Sequence, residues 1–170
     1  VSRGSGAGRA LIEALDAGGA PASYRSRDGQ ATFGTVDRAS VARAGRLLVA
    51  FDGHIYNTRR VMEECLAIKP DLIFLWDEAW FGFARFSPFL RRRTAMGAAA
   101  DLEAWLRDPA SVAAYEKQQA QLGAKPSDEA LMAARLVPDP RKVRLRVYQT
   151  NSTHKSMSAI RQGSMLLVKD

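Results

Sequence analysis

The sequence predicts an α/β fold with a mostly parallel sheet. Two short, continuous apolar runs, Leu47–Phe51 and Leu72–Trp76, have the length and composition of strands that are buried on both faces. Between them lies a segment with helical spacing of apolar residues, which Pro70 ends. A strand, a helix and a second strand in this order are typical of a βαβ unit, in which the two strands are parallel.

The helix of this unit carries a start signal and an apolar face. Asn57 or Thr58 can cap it, because either side chain can accept a hydrogen bond from the first helical turn. The residues that recur at helical spacing, and that we expect to pack on the sheet, are Val61, Met62, Cys65, Leu66 and Ile68.

Two short helices are predicted before the βαβ unit. Leu11, Ile12 and Leu15 have helical spacing, and a pair of glycines follows them and ends the pattern. Asp37 can cap a second helix that runs through Val41. The intervening residues are polar and rich in turn formers, which predicts loops.

Residues 94–141 are predicted to be mainly helical. Ala98–Leu122 has helical patterning that Pro109 interrupts, and Asp108 can cap the second piece. We interpret the region as a helical insertion within a single domain that spans residues 1–170.

The chain then returns to strands. Asp128–Leu136 predicts the last helix of the insertion, and prolines follow it. In Val143–Thr150 apolar and polar residues alternate, as they do in a strand with two unlike faces. Ser156–Arg161 predicts a helical turn, and Ser164–Val168 predicts a final strand.

The composition excludes several classes of protein. With 46% hydrophobic and 25% charged residues the chain resembles a globular domain, and no apolar run is long enough to cross a bilayer. Cys65 is the single cysteine, so we expect neither an internal disulfide framework nor a multi-cysteine zinc site, and we assign no metal ligands. The net charge of +7 comes from scattered arginines, with Arg91–Arg93 the one tight run, and we expect no nucleic-acid partner. Since no secretory signal is visible, the expected location is cytoplasmic.

Two candidate catalytic residues lie just beyond predicted strands. Asp77 follows Leu72–Trp76, and Lys155 follows Val143–Thr150. Because ligands of open α/β sheets bind outside the carboxyl ends of the strands, an acid and a lysine at two such ends can reach one ligand. A pyridoxal 5′-phosphate (PLP) enzyme needs both: a lysine that forms an imine with the cofactor and an acid at its pyridine nitrogen.

Three segments resemble one enzyme family. Asn-Ser-Thr-His-Lys-Ser-Met-Ser-Ala-Ile-Arg-Gln-Gly-Ser-Met, residues 151–165, resembles the Schiff-base segment of the bacterial ornithine/lysine/arginine decarboxylases. Asp77–Trp80 and the aromatic residues after it resemble their pyridine-nitrogen segment. Residues 51–57 resemble the strand-end element that precedes it, and the three segments come in the family's order.

The resemblance implies roles for six residues. Lys155 would form the Schiff base with PLP, and Asp77 would be the partner of the pyridine nitrogen. Four further residues would contact the phosphate or the ring of the cofactor: Ser152, His154, Ala79 and Trp80. The first two would lie beside the phosphate. Of the other two, the alanine would pack beneath the ring and the tryptophan would donate its indole N–H to the phenolic oxygen.

The resemblance also implies a fold and a reaction. The fold would be the large domain of the aspartate-aminotransferase type, with three αβα layers, and this chain would be its central part. The reaction would be decarboxylation of lysine, arginine or ornithine to the amine and carbon dioxide. An aminotransferase or lyase of the same fold, and an inactive piece, stay open as alternatives. We further expect a homodimer or higher homo-oligomer, and little activity from these 170 residues alone.

Overall fold

The computed structural model describes residues 12–15, 41–42, 44–50, 55–156 and 163–170, which form an α/β structure around a five-stranded mixed sheet. The strands lie side by side in chain order: β1 Ile12–Leu15, β2 Arg46–Ala50, β3 Ile73–Asp77, β4 Arg146–Ser152 and β5 Ser164–Lys169. The three central strands are parallel, whereas β1 and β5 are antiparallel to their neighbours. The α/β class is thus confirmed, and parallel pairing is confined to the centre of the sheet.

The predicted βαβ unit is confirmed. Helix α1, Thr58–Ile68, connects β2 to β3, and Asn57 caps it by accepting a hydrogen bond from the backbone N–H of Arg60 at 3.4 Å. Met62 and Leu66 of its predicted apolar face are fully buried. The other three residues of that face are partly buried against the same core.

The predicted helices of residues 94–141 are also present, with different ends. They are α2 Ala95–Arg107, α3 Pro109–Leu122 and α4 Asp128–Ala133, and two 3-10 turns precede them at Gly82–Phe86 and Arg91–Arg93. The break at Pro109 is confirmed, and Asp108 caps α3 by accepting a hydrogen bond from Ala110 N at 2.9 Å. Helix α4 ends three residues earlier than predicted because the backbone at Ala134 is already extended.

Helices α1 and α2 pack on one face of the sheet and form the core with it. From the sheet come Leu47, Phe74 and Val147, and from α2 come Ala98 and Leu102, all of them almost completely buried. The first helix of the predicted insertion is therefore part of the core. Whether residues 94–141 are an insertion in a single domain stays a prediction.

The opposite face of the sheet is far less covered. Leu48, Leu75 and Tyr148 are half-buried there, and Leu166 and Val168 of β5 are exposed. Within the described residues the sheet therefore has a helical layer on one face, and the third layer of the expected αβα arrangement stays a prediction.

One element near the amino end differs from the prediction. Ile12–Leu15 is a strand rather than the predicted helix, because its backbone pairs with β2, from Ile12 opposite Val49 to Leu15 opposite Arg46. Val41, the predicted last residue of the second helix, is helical, and the helix includes Ala42 as well. The Asp37 cap lies outside the described residues, as does most of the turn predicted over 156–161.

Gly97 in the first turn of α2 is a site where we predict a large loss of stability. A Cβ atom added there would lie 2.0 Å from the backbone oxygen of Arg91, and a backbone atom cannot move aside as a flexible side chain can. We expect Gly97→Ala to lower the free energy of unfolding by about 2 kcal/mol in urea titrations, despite the higher helix propensity of alanine. Ala104→Ser on the exposed face of the same helix should change it by less than about 0.5 kcal/mol. An alanine variant as stable as the parent would contradict the close approach.

Candidate functional site

The candidate site lies at the carboxyl ends of β3 and β4. Asp77 is the last residue of β3, directly opposite Thr150 of β4. Its Oδ1 accepts hydrogen bonds from Thr150 Oγ1 at 2.9 Å and from the backbone N–H of Ala79 at 3.1 Å. The side chains of Asp77 and Thr150 are exposed. The carboxylate is therefore fixed in orientation at one oxygen while it stays accessible to a ligand.

Lys155 lies in a short helical turn, α5 Thr153–Ser156, that follows β4 directly. Its Nζ is 5.2 Å from the centre of the Trp80 ring, within the range of a cation–π interaction. Trp80 is 55% exposed and stands three residues after Asp77. The lysine, the indole and the carboxylate predicted from sequence thus lie along the same edge of the sheet.

The other predicted cofactor neighbours are placed less favourably for a phosphate. Ser152 is buried, and its backbone N–H donates to the oxygen of Ala79 at 3.4 Å, which ties the two strand ends together. His154 is exposed, and its Nδ1 lies 3.2 Å from the backbone oxygen of Gly163 at the start of β5. These contacts bring Ser152 next to Ala79, whereas the His154 ring is engaged with the backbone. Residues 51–54 lie outside the described residues.

A buried polar cluster that the sequence analysis missed lies on the other face of the same strand ends. Glu78 Oε1 accepts a hydrogen bond from Ala95 N at 2.6 Å, and Gln149 Oε1 accepts one from Met96 N at 2.9 Å. Thr94 Oγ1 accepts a third from Gly97 N at 3.2 Å. The first N–H groups of a helix have no partner within the helix, so these side chains satisfy the amino end of α2.

The same cluster fixes the backbone that carries the exposed site residues. Asn151 Nδ2 donates to the backbone oxygen of Glu78 at 3.0 Å and is itself next to Gln149, whose Nε2 donates to Asn151 Oδ1 at 2.6 Å. The backbone N–H of Glu78 donates to the oxygen of Thr150 at 3.0 Å, which continues the parallel pairing past Asp77. Asn151 and Gln149 are therefore positioning residues for the segment from Asp77 to Trp80.

Glu78 is the ionisable side chain of this cluster. Its side chain is 3% exposed, and burial raises its pKa to about 8, although the hydrogen bond from Ala95 N opposes that rise. At neutral pH the carboxyl group is therefore mostly protonated.

Cys65 is partly buried and packs against the core. Because burial raises the pKa of its thiol to about 12, we assign it no reactive role.

The residues at the exposed edge fit the chemistry of PLP. An amine beside an indole ring and an accessible carboxylate oxygen match a planar cofactor that has an aldehyde and a basic ring nitrogen. The part of the chain that the structure describes contains no group of three or more His, Cys, Asp or Glu side chains that could hold a metal ion. None of its helices is long and apolar enough to cross a membrane.

Comparisons with protein-family models, with curated proteins and with solved structures found no match to this chain. The resemblance to the decarboxylases therefore rests on the motifs and on the position of Asp77, Trp80 and Lys155 at one edge of the sheet.

Proposed function

We propose that this chain is part of a PLP-dependent enzyme that decarboxylates a basic amino acid, namely lysine, arginine or ornithine, to its amine and carbon dioxide. The observation that carries the proposal is the contact of Lys155 Nζ with the Trp80 ring. This contact lies at the carboxyl ends of the parallel strands, where Asp77 is the last residue of β3. PLP attaches to proteins through a lysine and needs an acid at its ring nitrogen. Here Asp77 ends β3, and Lys155 follows the adjacent parallel strand β4.

Three side chains would hold the cofactor. Lys155 Nζ would attach it covalently once the ammonium group has lost its proton. The free oxygen of Asp77 would accept a hydrogen bond from the pyridine N–H, while Thr150 keeps the other oxygen occupied. Trp80 would lie beside the ring, where its flat surface limits the access of water. PLP, when bound, supplies an electron sink for the pair of electrons that the departing carboxylate leaves behind.

The proposal extends to the architecture and setting of the enzyme. We propose the aspartate-aminotransferase type of large domain, with a third layer on the sheet face where Leu48, Leu75 and Tyr148 are half-buried. We propose a homodimer or a higher homo-oligomer that acts in the cytoplasm on an amino-acid substrate. We favour a decarboxylase over an aminotransferase or another lyase, because residues 151–165 around Lys155 are the most specific of the three segments that resemble the decarboxylases.

The experiment that tests the function has two stages. The protein is first titrated with PLP, and we expect an imine absorption band that borohydride fixes on Lys155, as peptide mapping would show. Carbon dioxide release is then measured with lysine, arginine and ornithine, and we expect release from one of them at less than about 1 per second. A missing band, or a label on another lysine, would refute the cofactor assignment. Formation of a keto acid without carbon dioxide would replace the decarboxylase with an aminotransferase.

Asp77→Asn tests the role of the carboxylate separately. The amide can still accept from Thr150 Oγ1, but it can no longer offer a charged oxygen to the pyridine N–H. A hydrogen bond to a charged group contributes about 1.5–3 kcal/mol, so we expect the dissociation constant for PLP to rise roughly 10- to 100-fold in absorbance titrations. Asp71→Asn, at an exposed aspartate paired with Lys69, is the matched control and should leave the constant unchanged. Equal affinities for the two variants would remove Asp77 from the site.

A further inference from the structure

A small cavity of about 10 Å³ lies on the core face of the sheet, beneath the end of β3. Its walls include Val49, Trp76 and Glu78 from the strand ends, and Tyr56 and Thr58 from the start of α1. It is thus on the opposite face of the sheet from the exposed side chain of Asp77, and neither Asp77 nor Lys155 lines it.

Two polar atoms of this cavity's walls are buried and have no hydrogen-bond partner among the described residues. They are the indole Nε1 of Trp76 and the Oε2 of Glu78. Leaving a buried polar group unsatisfied costs about 1–3 kcal/mol, so a partner for both atoms is expected in the folded state. Polar atoms of this kind in a protein interior are normally satisfied by a partner group or by an ordered water.

We propose that the cavity binds one water molecule, which accepts a hydrogen bond from Trp76 Nε1 and is hydrogen-bonded to Glu78 Oε2. The volume decides the class of ligand, because about 10 Å³ is at the lower limit for a single water and excludes anything larger. A metal ion is disfavoured, because Glu78 is the one carboxylate among the described residues that line the cavity.

The hydrogen bonds of this water can be assigned from the groups around it. The indole N–H can only donate, so the water oxygen accepts from Trp76. Because Glu78 Oε1 already accepts from Ala95 N, the proton of the neutral carboxyl group belongs on Oε2, which donates to the same water oxygen. Thr58 Oγ1 donates to the backbone oxygen of Arg93 and keeps lone pairs that can accept from the water. The water therefore has the two to four partners that a buried water needs.

This water connects three elements beneath the candidate site. Trp76 and Glu78 flank Asp77 in sequence, Thr58 is the first residue of α1, and Arg93 belongs to the 3-10 turn before α2. Through it and the Thr58–Arg93 hydrogen bond, the end of β3 is joined to α1 and to the 3-10 turn before α2. We therefore assign the water a structural role in holding the strand end, which is independent of the proposed reaction.

The test is a search for a long-lived water at the Trp76 indole in the full 170-residue chain. In NMR cross-relaxation experiments at pH 6, we expect the indole N–H of Trp76 to show a contact with a bound water, whereas that of exposed Trp80 shows solvent exchange alone. Trp76→Phe assigns the signal and removes the donor. Should that variant not fold, Trp80→Phe and Trp105→Phe assign the same signal by elimination.

A crystal structure at high resolution gives the second readout. In the parent protein and in Glu78→Gln, whose amide N–H can donate where the carboxyl O–H does, we expect water density within hydrogen-bond distance of Trp76 Nε1 and of residue 78. A cavity without density and without the water contact would overturn the proposal. So would a structure in which Trp76 Nε1 donates directly to a protein oxygen.

Discussion

Replacing Lys155 with alanine is expected to abolish the covalent attachment of PLP to this chain. In the proposed site the Lys155 amine, which lies 5.2 Å from the centre of the Trp80 ring, is the nucleophile, and no other side-chain type can form the imine with the aldehyde of the cofactor. We expect the imine absorption band to disappear and borohydride to leave no label on the protein. Lys117→Ala, at an exposed lysine of α3, should keep both signals.

A second variant separates the covalent role from the packing role of this lysine. Lys155→Arg keeps a cation that can stack on Trp80 but cannot form an imine with the cofactor. We expect it to unfold at the same urea concentration as the parent while it loses the band as completely as the alanine variant. If the arginine variant retained the band, or if the alanine variant still carried label at the same stoichiometry, the attachment would lie elsewhere.

Glu78→Gln is expected to remove a pH dependence of stability that the parent protein has. Since burial raises the pKa of Glu78 in the folded state to about 8, from an ordinary value of 4.5, the folded state binds this proton more tightly than the unfolded state. The stabilisation is complete below pH 4.5 and is lost as the pH rises through 8, by on the order of 5 kcal/mol. Glutamine cannot ionise and keeps an oxygen for Ala95 N.

The measurement is urea unfolding of the parent and variant proteins between pH 5 and 9. At pH 5 we expect similar free energies of unfolding, and at pH 9 we expect the glutamine variant to be the more stable by a few kcal/mol. Glu116→Gln makes the same change of charge at an exposed position and should leave the pH dependence of the parent in place. A parent and a Glu78→Gln variant with parallel pH profiles would mean that Glu78 is ionised in the folded state.

The βαβ unit could be predicted from sequence because its signals are local and redundant. Two apolar runs, a cap at Asn57 and the break near Pro70 all indicate the same boundaries, and the structure has β2, α1 and β3 within one or two residues of them. The same holds for the break at Pro109, where the ring removes a backbone donor and Asp108 supplies a cap.

The first strand and the start of β4 could not be predicted in the same way. The spacing of Ile12 and Leu15 fits a helix as well as a strand, and the choice is made by the edge of β2, which is distant in sequence. For β4, the alternation that suggested a start at Val143 is real, since Val143 and Leu145 pack on the core, but pairing with β3 begins at Arg146. Contacts with a partner strand set these boundaries.

The exposed half of the site was accessible from sequence, whereas the buried half was not. Asp77 and Lys155 follow apolar strands, so topology alone places them at one edge. Gln149 and Asn151 alternate with Val147 along β4 and therefore lie on the same, core-facing side of the strand. Two polar residues at core positions could have been noticed in the sequence. The sequence does not reveal their partners, because Ala95 and Met96 are backbone donors whose position depends on how α2 docks.

The antiparallel direction of β5 has a practical consequence for binding measurements. Lys169 pairs with Val147 near the start of β4, whereas Ser164 pairs with Ser152 at its end. Asp170 and Lys155 therefore lie at opposite ends of the strands. Five residues of strand separate these two ends by about 17 Å. A sensor surface or a fluorophore tethered through residue 170 would therefore leave the entrance to the candidate site open, so that PLP association could be followed on immobilised protein.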